Sequence, residues 1–170
     1  MIGGLIVTLF GVGFLFTLRD IPVLPLSSEE TSGSATVTLS TTPETYQVGE
    51  EFTLTIQVTS DIPANTYAAS LQFPANNLQV VDIIDTNSVV DLWVEEPSVH
   101  DAADSLFFAG GSLQPTGFTG TDTLLEVIFT ATSPGTATFT IADLEIYAHD
   151  GQGSAIPLRD VEPLTVEITE

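Results

Sequence analysis

From Ala35 onward the sequence alternates apolar and polar residues with a period of two, and this pattern constrains the fold more than any other feature. The clearest stretch is Phe52, Leu54, Ile56 and Val58, interleaved with Thr53, Thr55, Gln57 and Thr59. Successive side chains of an extended strand point to opposite faces, so such a segment buries one face and exposes the other. The alternation returns at Val37 and Leu39, at Ala69, Leu71 and Phe73, and at Leu125, Val127, Phe129 and Ala131. It returns again at Ala137, Phe139 and Ile141, at Leu144 and Ile146, and at Leu164, Val166 and Ile168. Residues 78–84, 89–94 and 105–109 are further strands by composition. Turn chemistry separates the runs at Val48-Gly49-Glu50, Pro74-Ala75-Asn76-Asn77, Ser133-Pro134-Gly135 and Asp150-Gly151. No part of this body carries a helical stripe. The expectation is an all-β jelly-roll sandwich of about nine strands over residues 35–170.

The first 34 residues are a different physical object. Residues 1–18 (MIGGLIVTLFGVGFLFTL) contain no charged side chain, and Arg19 and Asp20 end the run. As a helix rising about 1.5 Å per residue they would span roughly 27 Å, just under the ~30 Å of a bilayer core. Three readings compete. A cleaved signal peptide usually has a basic start and a small-x-small cleavage site; here no Lys or Arg precedes the apolar run and no Ala-x-Ala follows it. A pilin-like filament helix typically carries an acidic residue near its start, where this chain has Leu5. A membrane anchor needs only the apolar length and is the preferred reading. Residues 19–34, with Pro22, Pro25 and the acidic SSEETSGS stretch, read as an extended spacer. Such a chain would stand at the cell surface, facing outward.

Composition removes several functions. The 170 residues suffice for one domain and a short appendage. Asp and Glu number 23 against two Arg and no Lys, a net charge of −21. That charge repels phosphate backbones, so a nucleic-acid partner is not expected. With no Cys there is no disulfide, thiolate nucleophile or zinc-thiolate site.

Catalytic constellations are equally absent. His100 and His149 are far apart in sequence, and neither a Gly-x-Ser-x-Gly elbow nor a His-x-x-x-His pair occurs. His149, beside Asp150-Gly151, reads as a turn residue. The carboxylate pairs Asp82/Asp85, Asp101/Asp104 and Asp143/Glu145 are candidate oxygen ligands for Ca²⁺. In a regular strand Asp143 and Glu145 would share a face. Their ordinary reading is a solvated acidic surface, and no cofactor is expected. Trp93 can sit in either of two registers: exposed opposite Val90, Leu92 and Val94, or buried with those three outside. Phe107 and Phe108 must point to opposite faces.

The order of segments resembles the cohesin family over residues 35–168. TVTLSTTPETYQVGEEFTLTIQV resembles the family's first strand, Val-Gly-acidic turn and second strand. SLQFPANNLQVVDI resembles the third and fourth strands. DSLFFAGG with GFTGTDTLLEVIFTA resembles the central pair, and SPGTATFTIADLEI the closing hairpin. The resemblance implies a nine-stranded jelly roll that binds a dockerin module through one sheet face, without catalysis. Outward residues of the third strand, Ser70 and Gln72, with Trp93 and Phe108, are the candidate partner contacts. The chain departs from the family where Pro74-Ala75 follows Phe73 in place of Asp-Pro. It departs again where Thr66-Tyr67-Ala68 replaces polar residues that often reach the dockerin. Two alternatives stand beside docking: a carbohydrate-binding module taking a polysaccharide, and a filament subunit self-assembling through its N-terminal helix.

The apolar run makes one expectation directly measurable. The full chain should fractionate with membranes, and a chain beginning at Ser27 should remain in solution. A full chain that stays soluble and monomeric with its N-terminus intact would refute the anchor.

Overall fold

One strand supplies backbone to both layers of the molecule. The structure is a computed structural model that describes residues 33–99 and 104–170. The expected N-terminal helix (residues 1–18), nearly all of the spacer, His100 and Asp101 lie outside the described residues. The strands are β1 (Ala35–Ser40), β2 (Thr45–Gln47), β3 (Glu51–Gln72), β4 (Leu78–Ile84), β5 (Leu92–Val99), β6 (Ser105–Gly111), β7 (Phe118–Ala131), β8 (Gly135–Ala148) and β9 (Leu164–Thr169). The described part is all-β. The first half of β3 pairs with β1 and β7, and β7 with β4, giving a sheet ordered β1-β3-β7-β4. The second half of β3 pairs with β6 and β8 in a sheet ordered β5-β6-β3-β8-β9-β2. Among the strands of the described residues, only the β2–β9 pair is parallel.

The crossover lies at Asp61-Ile62-Pro63, where the register with β7 breaks between Ser60 and Ala64. Pro63 has no N–H to donate, so a regular ladder cannot pass through it. Ser60 is 2% exposed, and its Oγ donates to the Ile62 carbonyl at 2.7 Å. Asp61 accepts from Ser34 Oγ at 3.0 Å and from Arg159 Nη2 at 2.6 Å. Both charged groups are largely exposed, so the ion pair fixes geometry more than it adds stability.

The two sheets meet on an aromatic cluster. Phe129 of β7 lies 5.8 Å from Phe52 of β3, 5.1 Å from Phe73 and 5.2 Å from Phe139 of β8, between ring centroids. Tyr46 of β2 stacks on Phe52 at 4.1 Å. Leu54, Ile56, Leu71 and Val127 complete the buried layer. Ile141 packs against it only half-buried.

Breaks in the sequence alternation mark β-bulges rather than strand ends. The runs at 52–58 and 69–73 belong to one 22-residue strand. The runs at 137–141 and 144–146 are likewise one strand, β8, interrupted by a bulge at Asp143. Asp143 takes φ 50°, which absorbs one extra residue and lets Ile141 and Leu144 both face inward. In β7 the extra residue is Leu124, so Leu124 and Leu125 are both buried. One strand expectation needs correction, and one strand was not expected. The strand expected over 89–94 begins at Leu92; Val89 and Val90 are buried just before it. The three-residue β2 carries too little alternation to be seen in the sequence.

Two measurements test this core. Phe129→Ala should cost about 3–5 kcal/mol in a denaturant titration, and a loss below about 1 kcal/mol would place Phe129 elsewhere. Tyr67 is fully buried, and its hydroxyl has no partner among the described residues. Burial pushes its phenol well above the ordinary value, and burial raises Tyr46 as well. A folded-state pKa above the unfolded one means stability is fully present below about pH 10 and is lost as pH rises through the folded value. Tyr67→Phe should therefore flatten the alkaline loss of stability while changing stability at neutral pH by less than about 1 kcal/mol. An unchanged alkaline profile would mean that Tyr67 is not its source.

Candidate functional site

The outer side of β5, β6, β3 and β8 forms a face whose composition follows from alternation. In β3, Tyr67, Ala69 and Leu71 point into the core, so Thr66, Ala68, Ser70 and Gln72 point out. In β6, Leu106 and Phe108 point in and Ser105, Phe107 and Ala109 point out. Register then builds rows across the face. One row is Ser98, Phe107, Ser70 and Ala142. The next is Glu95, Ala109, Ala68 and Glu145. Ser105, Gln72 and Thr140 form a third, in which Thr140 Oγ1 donates to Gln72 Oε1 at 3.4 Å. Phe107 is thus an aromatic ring among side chains of three heavy atoms or fewer in its own row.

At one end the face opens into a groove of about 610 Å³, lined by Gln72, Phe73, Pro74, Asp104, Ser105 and the threonines Thr136, Thr138 and Thr140. At the other side Glu145 is held in place: Tyr147 Oη donates to its Oε2 at 3.0 Å. The carboxylate in turn pushes the Tyr147 phenol upward.

The expected contacts divide. Ser70 and Gln72 lie on this face, Ser70 half-buried and Gln72 exposed. Phe108 does not: it is 0% exposed and meets Trp93 edge-to-face at 6.2 Å. The outward ring is Phe107, and the signal for it was present, because apolar Leu106 two residues before Phe108 sets the inward phase. Trp93 also turns inward, against Gly110, and its Nε1 donates to Asp85 Oδ2 at 2.9 Å. Val94 is the extra residue of a bulge and is 84% exposed, with Leu92 also exposed. Ala68 belongs to the Thr66-Tyr67-Ala68 departure noted above, whereas Ala109 and Ala142 carry no chemical signature in the sequence.

Three of the paired carboxylates have partners within the protein. Asp82 Oδ1 accepts from the Ile83 N–H, and Asp85 is taken by Trp93. The bulge at Asp143 breaks the regular spacing that would set it on one face with Glu145. Asp104 lines the groove, and its expected partner Asp101 lies outside the described residues. Among the described residues no group of three or more His, Asp or Glu could hold a metal ion. His149 pins loops together: its Nδ1 faces Asn65 Nδ2 and its Nε2 faces the Pro115 carbonyl, each at 3.2 Å. The amide donates to Nδ1, which assigns the proton to Nε2.

No protein-family model matches the sequence, and no curated protein does. Solved structures do match. The non-cellulosomal cohesin of the archaeon Archaeoglobus fulgidus is 17% identical over 81% of this chain and 92% of its own, with a TM-score of 0.64. A type I cohesin from Clostridium thermocellum, solved in complex with a dockerin, is 10% identical over 79% of this chain and 93% of its own, with a TM-score of 0.66. The cohesin module of a family 33 glycoside hydrolase from Clostridium perfringens is 17% identical over 81% and 97%, with a TM-score of 0.61. The likeness is one of fold, and the described body is a cohesin-like β-sandwich.

The inward Trp93 gives this geometry a spectroscopic test. A Cβ at Gly110 would fall 2.5 Å from Val90 Cγ1, 2.7 Å from the Leu92 carbonyl oxygen and 2.9 Å from Trp93 Cε3. Gly110→Ala should push β5 outward, red-shift the single-tryptophan emission and lower stability by about 1–3 kcal/mol. An unshifted spectrum at unchanged stability would put Trp93 outside.

Proposed function

We propose that this chain is a non-catalytic docking module that binds a protein partner, a dockerin-like module in the first instance, through the outer face of β5, β6, β3 and β8. The observation that carries the reading is the Ser98–Phe107–Ser70–Ala142 row with its neighbour Glu95–Ala109–Ala68–Glu145. Small side chains let a partner's backbone approach closely, and Phe107 offers a ring for a central apolar contact. The face is built on strands whose alternate residues are fixed in the core, so it is preformed and needs no large motion on binding. The dockerin bound to the Clostridium thermocellum cohesin, a protein of the same fold, supports a protein partner of that kind. Inward rotation of the only Trp leaves Phe107 and Tyr147 as the rings on this face, which favours protein docking over stacking on sugar. The apolar run at residues 1–18 supports display at the cell surface on a short stalk.

The test uses isothermal titration of the full chain in uncharged detergent against a panel of dockerin modules. Phe107→Ala should weaken binding by about tenfold or more, the scale of a central anchor. Ser70→Lys with Gln72→Lys should weaken it comparably while thermal unfolding is unchanged. Binding that survives all three substitutions removes this face. Turnover of a polysaccharide, ester or peptide substrate, abolished by changing one carboxylate, would overturn the docking reading altogether.

A further inference from the structure

The charge of this face specifies the partner's chemistry, an inference that rests on the docking reading. Glu95 on β5 and Glu145 on β8 close the two ends of one row, with Ala109 and Ala68 between them. Three interstrand spacings separate the two, about 14 Å between their backbones. Both side chains are exposed. Glu145 is oriented by Tyr147, which takes one carboxylate oxygen and leaves the other for an outside donor. Glu96 follows Glu95 on β5, and Asp143 stands at the β8 bulge beside Ala142. No Lys occurs in the chain, and the one Arg among the described residues, Arg159, is paired with Asp61. Nothing basic within the described residues neutralises the rim.

We propose that the face takes a basic protein segment: an apolar strip seated over Ala109, Ala68 and Phe107, flanked by lysine or arginine side chains that reach Glu95 on one side and Glu145 on the other. Charge complementarity selects this occupant over the others. A second copy of this chain would set one acidic rim against another, on proteins that each carry −21, and like charges brought together at an interface cost several kcal/mol. An anionic lipid surface or a phosphate-rich partner meets the same repulsion. The row geometry adds specificity that net charge alone cannot give, because only cations on both flanks of a narrow apolar strip meet both carboxylates.

The experiment titrates the full chain, in uncharged detergent, with three helical peptides that share one Leu/Ala stripe and differ only in flanks of Lys, Gln or Glu. The Lys-flanked peptide should bind tightest and weaken as salt rises through the screening range. Glu95→Gln with Glu145→Gln should weaken it roughly five- to tenfold. The control pair Glu51→Gln with Glu126→Gln removes equal charge from the opposite face of the sandwich and should change binding by less than about twofold. Equal effects from the two pairs would mean that the overall field attracts the peptide, and the inference falls. If Phe107→Ala weakens binding and Glu95→Gln with Glu145→Gln does not, docking on this face stands and the basic partner is refuted. If neither acts, or the Glu-flanked peptide binds as well, both readings fail on this face.

Discussion

The passage of β3 from one sheet to the other is the constraint on which the rest of the sandwich depends. Because one continuous strand pairs with β1 and β7 before Ser60 and with β6 and β8 after Ala64, the two layers are joined covalently through a strand interior to each. Their inner faces are then held together by the rings of Phe52, Phe73, Phe129 and Phe139, contributed by both layers. Loss of the register at Pro63 is therefore part of the architecture: a β3 without the interruption would extend a single sheet and leave its apolar side uncovered. The outer residues Ala68, Ser70 and Gln72 inherit this rigidity, since Tyr67, Ala69, Leu71 and Phe73 between them are locked in the core.

Bulges do the remaining shaping. Those at Leu124 and Asp143 reset the phase of alternation, so that long strands keep an apolar side inward despite twist. On the edge strand β5 the irregularities at Val94 and at Glu96-Pro97 serve another end. An edge strand offers unpaired backbone to any passing chain, and a bulge, a proline and charged side chains each spoil that template. The exposed Leu92 and Val94 are thereby kept from becoming a site of edge-to-edge growth.

The strands were legible in the sequence because burial on one side imposes a period of two, and residues such as Leu54, Leu71 and Val127 announce their side without help. What stayed hidden was whatever local pattern does not encode. That Ile141 and Leu144 belong to one strand depends on an unusual backbone angle at Asp143, which an Asp tolerates better than most residues. The inward turn of Trp93 depends on Gly110, a residue on a neighbouring strand that leaves room for the indole. Phe108 is buried for a reason the sequence did contain, the phase set by Leu106. The face itself was half legible: Ser70 and Gln72 follow from β3 alone, but the rows containing Ala109, Glu95 and Glu145 exist only through cross-strand register.

The two outer faces of the sandwich show why the small residues matter. On the smaller sheet the outward positions of β1, β3 and β7 include Thr36, Thr53, Thr55, Thr59, Thr121, Thr123 and Thr130, with Thr59 and Thr121 hydroxyls 2.8 Å apart. Threonine suits a solvated strand: its branched side chain favours extended backbone and covers the pleat while its hydroxyl stays hydrated. On the larger sheet threonines stand outward at the periphery, at Thr66, Thr136, Thr138 and Thr140, but the two central rows across β6, β3 and β8 hold Ala109, Ala68, Ala142 and Ser70. Alanine is a poor strand former, so strand stability does not account for three of them in adjacent rows. A shallow surface does account for them, because each missing side chain brings the sheet backbone closer to whatever lies above it. The contrast between the threonine cover of the smaller sheet and the shallow central rows of the larger one, with one phenylalanine and flanking carboxylates, is the physical argument for placing the partner on the larger sheet.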